Sequence, residues 1–129
     1  MKQKVGYVDG FVLVVPKSKT AIYRKMAAEG AKMWMKHGAL SYRECIGDDL
    51  HPTMGGMPVF TFPEMTKPGK DETVWFSYIE YKSRAHRDAV NKKVMALMEK
   101  KYGDHKNMPP MPFDTKRMAY GGFKVSVGA

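Results

Sequence analysis

Two stretches of the chain repeat one spacing, His51-x-x-Met54-x-x-Met57 and His105-x-x-Met108-x-x-Met111. Imidazole and thioether ligands together suit soft Cu(I), for which one histidine and two or three thioethers complete a low-coordinate site. Zinc is a poor match, because thioethers bind it weakly and a single cysteine supplies no thiolate cluster. The competing reading is that these methionines fill irregular apolar gaps. Twelve methionines in 129 residues make Met-x-x-Met pairs common by chance.

Three polar residues stand in otherwise apolar surroundings and are the candidates for proton transfer. Asp9 falls between Tyr7 and Phe11, Glu44 between Tyr42 and Ile46, and His37 at the end of an amphipathic stretch just before Gly38. A carboxylate on an apolar sheet face has its charged form desolvated unless an Arg or Lys reaches it, which is how general bases are tuned. Plainer roles compete: Asp9 as a turn cap or strand-edge residue, His37 as a helix C-terminal residue whose cation the helix dipole favours. A second polar set, Asp48 and Asp49 with Asp114, Lys116, Arg117 and Tyr120, is the candidate ligand-binding group, with turns and local salt bridges as its alternative. Cys45 reads as a small buried residue rather than a nucleophile, since only Arg43 brings positive charge to its side of the strand. The sequence holds no Ser-His-Asp order, P-loop or dinucleotide fingerprint.

Hydrophobic periodicity names the elements that must position these groups. Val5 to Val15 is rich in β-branched and aromatic residues and stops at Pro16, which predicts a first strand. From Lys19 to His37, apolar residues recur three or four apart until Gly38, which predicts an amphipathic helix. Leu40 to Asp48 alternates as a second strand, and Asp49 to Asp71 carries too many prolines and glycines for a long element, although PVFTF can extend briefly. Thr73 to Tyr81 is the strongest strand signal. Ser83 then caps a helix to about Tyr102 with an inner stripe of Ala89, Val90, Val94, Leu97 and Met98. Arg117 to Val127 closes the order as strand four, with Gly121 and Gly122 marking a bulge or a close backbone approach.

The result is one α+β domain over residues 1–129: ferredoxin-like βαββαβ, a four-stranded antiparallel sheet in the order 4-1-3-2 with both helices on one face. That order puts the end of strand two and the start of strand four at one end of the sheet but on opposite edges, about 14 Å apart across three strand spacings, too far for Asp48 to pair with Arg117. The face away from the helices is polar in a monomeric sheet of this kind. Here Val74, Phe76 and Tyr78 lie on one side of strand three and Trp75 and Ile79 on the other. A second copy of the same sheet is the simplest cover, so a homodimer is expected.

The formal charge of +9 is concentrated on the helices, where segments 19 to 37 and 83 to 102 together carry net +8. Such a face attracts phosphate backbones, but no nucleic-acid motif accompanies it and the aromatics lie in strand positions, so a solvated basic face is expected and nucleic acid is not. A hydrophobic content of 43% excludes a disordered chain. The longest apolar run, Phe11 to Val15, is far short of a membrane span, and a single cysteine gives no intrachain disulfide, so a cytoplasmic protein is expected.

Several strings together carry a family resemblance: YVDGFV, HGAL followed by Tyr42, Glu44, Cys45 and GDD, then FSYIEYKSRAHRD, NKKVM and MPFDTKRMAYGGF. The chain resembles the YbaA-like family of uncharacterised bacterial proteins over nearly its whole length, departing mainly between Leu50 and Thr61. The resemblance implies a dimeric α+β barrel, two ferredoxin-like sheets closed against each other, and no particular reaction. Related barrels place a ligand cavity between sheet and helices. The functional expectation is therefore an unidentified small molecule in that cavity, bound by an enzyme without a prosthetic group that uses a carboxylate or His37, or by a protein that binds without catalysis; the alternative is a cavity filled by side chains in a protein that acts through its surface. Apart from the Cu(I) pattern, no cofactor is expected.

Overall fold

The computed structural model describes residues 4–103 and 108–129. β1 (Tyr7–Pro16) runs to the proline, after which a 3-10 turn (Lys17–Lys19) leads into α1 (Thr20–Lys36). Gly38, at φ +113, ends α1, and the Ala39 amide turns back to the Trp34 carbonyl at 3.0 Å; only glycine takes that backbone angle without strain. β2 (Ser41–Ile46), α2 (Phe62–Thr66) and β3 (Glu72–Tyr81) follow. α3 (Arg84–Tyr102) starts where the Ser83 hydroxyl accepts the His86 amide at 3.1 Å, and β4 (Ala119–Lys124) completes the order.

The strands form one antiparallel sheet, β2-β3-β1-β4, the expected 4-1-3-2 order seen from the other edge. The fold is α+β with ferredoxin-like topology. Register sorts the side chains by face: Asp9 lies opposite Ile79 and Gly122, Phe11 opposite Ser77 and Tyr120, and Glu44 opposite Ser77. These residues share the helix-covered face, because strand neighbours alternate between faces. Two apolar clusters anchor the helices there, Leu13, Val15, Tyr23, Ala27 and Trp75 at one end and Tyr7, Ala39, Ile79, Tyr81, Val90 and Val94 at the other.

Several expectations shift in detail. Ala89 and Leu97 are exposed, and α3 turns Arg87 and Asn91 inward beside Val90 and Val94. PVFTF forms no strand. Its Phe62 starts α2, whose N-terminus carries a capping box between Thr61 and Glu64. In the same connection Met54 and Met57 pair across Gly55-Gly56, both at positive φ, as a two-residue hairpin turn requires. β4 has continuous register, so its glycines mark a close approach: a Cβ at Gly122 would collide with the Tyr7 hydroxyl. Cys45 is exposed, on the face opposite the helices.

That opposite face carries Val8, Val12, Phe76, Tyr78 and Phe123, with the Phe62 ring of α2 6.3 Å from Phe76. Val14 and Val74 are buried there, whereas Phe76 and Phe123 remain exposed.

Candidate functional site

Between the two apolar clusters, helices and sheet border a partly open chamber of about 1080 Å³. Its floor is the helix-side face of β1, β2 and β3, where Asp9, Phe11, Glu44 and Ser77 stand; its walls come from α1, α3 and the segment before β4. Seven of the twelve methionines line it, Met26, Met33, Met95, Met98, Met108, Met111 and Met118. Methionine is unbranched and polarisable, so such walls adapt to an apolar guest.

One polar group centres on Asp9, which is 1% exposed. Arg87, in the first turns of α3, reaches down to it with Nη1 2.6 Å from Oδ1, and donates from the same nitrogen to the Tyr120 hydroxyl at 3.2 Å. Tyr120 in turn donates to Asp9 Oδ2 at 3.4 Å. The guanidinium also lies 5.0 Å over the Tyr7 ring and bonds Asp88 through Nε. Burial pushes the Asp9 carboxyl above its ordinary pKa, against the charge and hydrogen bonds of Arg87. Burial and the Asp9 charge likewise push the Tyr120 and Tyr81 hydroxyls up. One helical turn after Arg87, Asn91 Oδ1 accepts from Trp34 Nε1 at 3.0 Å and from the Tyr81 hydroxyl at 3.4 Å.

The second group centres on the half-buried Glu44 of β2. Tyr23, from α1, donates to Oε1 at 2.7 Å, and Tyr42, two residues earlier on the strand, donates to Oε2 at 2.8 Å. Burial, then the adjoining Glu44 charge, raises both phenols well above the ordinary tyrosine range, so they stay donors. Gly30 of α1 leaves room for this arrangement: a Cβ there would lie 3.3 Å from the Tyr42 hydroxyl. With one intervening strand and a two-residue offset, Asp9 and Glu44 sit about 12 Å apart at their Cα atoms.

Of the residues singled out from sequence, Asp9, Glu44 and Tyr120 meet at this chamber. His37 does not line it; it caps the C-terminus of α1, with Nε2 buried and without a hydrogen-bond partner among the described residues. Asp48 is exposed beyond β2. Asp114 caps the 3-10 turn before β4 by accepting the Lys116 amide at 2.9 Å, and the Lys116 side chain is exposed. Arg117 pairs with Glu72 at 2.9 Å and donates to the Lys67 carbonyl at 3.2 Å, fastening the connection after α2; its hydrogen bond, with that of the Gly69 amide, holds the Glu72 carboxyl below its ordinary pKa.

His51, Met54 and Met57 are exposed and outside the chamber walls, whereas Met108 and Met111 belong to them. His105 lies outside the described residues. Among the described residues no group of three or more His, Cys, Asp or Glu is placed to hold a metal ion, and no helix is long and apolar enough to cross a membrane.

Tyr23, Ser77, Arg87 and Asn91 were not singled out by sequence reasoning. A signal existed for two of them: Arg87 and Asn91 fall on the spacing of Val90, Val94 and Met98, so the inner stripe of α3 is partly polar.

The family model described as "Protein of unknown function (DUF1428)" matches residues 6–115. The chain is 43% identical over 119 residues to the uncharacterized protein YbaA of Escherichia coli strain K12, covering 92% of this chain and 94% of that protein. The YbaA of Shigella flexneri matches to the same extent. The chain thus belongs to the DUF1428 family, and its similarity to YbaA runs over nearly the full length of both proteins.

Proposed function

We propose that the protein binds a small apolar or aromatic molecule in the chamber between sheet and helices. The observation that supports this reading is a cavity of about 1080 Å³ whose apolar walls converge on a few placed polar groups, the composition of small-molecule sites. Methionine-rich walls favour an aromatic body through sulfur–ring contacts. A specific ligand raises native stability in proportion to its saturation, so a thermal-shift screen of a metabolite library tests the reading. The expected result is a class of apolar compounds that stabilises the parent but not Met33→Trp, whose indole takes up chamber space. No stabilising compound, or equal shifts in both proteins, would count against it.

A second reading is favoured by the Glu44 geometry: a cofactor-independent enzyme in which Glu44 accepts a proton from the bound molecule while Tyr23 and Tyr42 orient the carboxylate. Deuterium incorporation from solvent into a stabilising compound, lost in Glu44→Gln, is the expected signature. The working unit is proposed to be a homodimer joined through the sheet face that no helix covers, where Phe76 and Phe123 are exposed.

A further inference from the structure

We infer that Glu44 receives the protonated nitrogen of an amine whose apolar body lies against the methionines of the chamber. The inference rests on the chamber being a ligand site and names the chemistry that this site selects.

The two carboxylates on the chamber floor, Asp9 and Glu44, differ in one respect. Asp9 already has its cation, Arg87 at 2.6 Å, and a further donor in Tyr120. Glu44 forms no ion pair among the described residues; its partners Tyr23 and Tyr42 bring two hydrogen bonds and no charge. A carboxylate offers about four acceptor positions, so about two remain free. A half-buried anion with donors but no counter-ion recovers its lost hydration best from an arriving cation.

A ligand anion would meet Glu44 repulsively and find Arg87 already engaged with Asp9, Asp88 and Tyr120. A neutral donor would gain a hydrogen bond without the charge. The rings of Trp34 and Tyr42, 6.2 Å apart, both line the chamber, and aromatic rings attract an ammonium group. The remaining charged groups nearby fix no opposite preference. Lys25, Glu29 and Lys101 are exposed residues of mixed sign, and Lys101 lies 5.2 Å over the Tyr102 ring. Arg24 is exposed and shares with Glu44 a smaller cleft of about 290 Å³.

The test compares three probes of matched shape on the unaltered protein: 2-phenylethylamine, 2-phenylethanol and 3-phenylpropanoate. Binding is read from the indole N–H resonance of Trp34, which lines the chamber. The amine is expected to bind at least tenfold more tightly than the alcohol and the acid most weakly, and Glu44→Gln to bring the amine to the affinity of the alcohol. Equal affinities of amine and alcohol in the parent would overturn the inference while leaving the chamber as a ligand site. Tightest binding of the acid would also overturn it, in favour of Arg87. No movement of Trp34 with any probe would remove both the inference and the reading it rests on. Because the three probes are compared on the parent, the inference is decided even if Glu44→Gln fails to fold.

Discussion

Trp34 Nε1 donates to Asn91 Oδ1 at 3.0 Å, joining residues 57 positions apart and tying α1 to α3 across the chamber. The same oxygen accepts the Tyr81 hydroxyl, so one amide serves two donors from two other elements. Asn91→Ala leaves both donors without that acceptor. The expected loss is about 1–3 kcal/mol, the desolvation cost of unsatisfied buried groups, measured by urea denaturation. A change under about 0.5 kcal/mol, the range of ordinary surface substitutions, would show that the tie contributes little.

The Asp9–Arg87 pair gives a larger effect with a pH signature. Arg87→Met leaves a buried carboxylate without its cation, expected to cost about 3–5 kcal/mol, and adding Asp9→Asn should restore much of that. Burial already raises the Asp9 pKa above 3.8, so the folded state holds this proton more tightly than the unfolded chain. Its contribution is therefore full below pH 3.8 and lost as pH rises through the folded value. Removing the opposing Arg87 charge extends that decline to higher pH. Melting temperatures of Arg87→Met should fall more steeply than the parent's as pH rises above 3.8, and Asp9→Asn should flatten the slope. Parallel profiles for all three proteins would contradict the assignment.

Strand and helix order was legible because period-2 and period-3.6 patterns are local, and so were Ser83 as a cap and Gly38 as a stop. The chamber was half legible. Asp9 and Glu44 stood out as acids among apolar neighbours, but their partners come from afar: Arg87 is 78 positions from Asp9, and Tyr23 is 21 from Glu44. One arginine among the basic residues of a helix looks like solvated surface until the fold turns it inward. The methionines show the opposite bias: their repeated spacing is a local pattern, whereas the service of seven of them as chamber wall, Met108 and Met111 of the spaced set included, depends on the tertiary fold. α2 was hidden by its own Pro63, counted as a breaker although proline suits the first turn of a helix.

Gly30 separates helix stability from site geometry. Alanine there should gain about 1 kcal/mol of helix propensity. Its Cβ, however, would stand 3.3 Å from the Tyr42 hydroxyl, which must then shift off Glu44 by a few tenths of an ångström. Gly30→Ala is expected to melt within a few degrees of the parent and to bind the parent's stabilising compounds more weakly. Unchanged binding with a clear rise in melting temperature would show that the site does not need the gap.

The uncovered sheet face yields the last prediction. Phe76 lies opposite Val12 and Phe123 opposite Val8, so two apolar pairs, separated along β1 by Gly10, share this face of the sheet over β3, β1 and β4. Phe76 is 43% exposed and Phe123 63%. Burying such a face against its own copy gains roughly 25 cal/mol per Å², and a stable interface needs at least about 1,200 Å² in total. Sedimentation at micromolar concentration should give twice the chain mass of 14.6 kDa, and Phe76→Lys with Phe123→Lys should halve it. The chamber lies on the other face of the sheet, so the monomeric variant is expected to bind its ligand as the parent does. A parent that sediments at 14.6 kDa alone would leave the face without this partner, and a monomer that loses ligand binding would place part of the site across the interface.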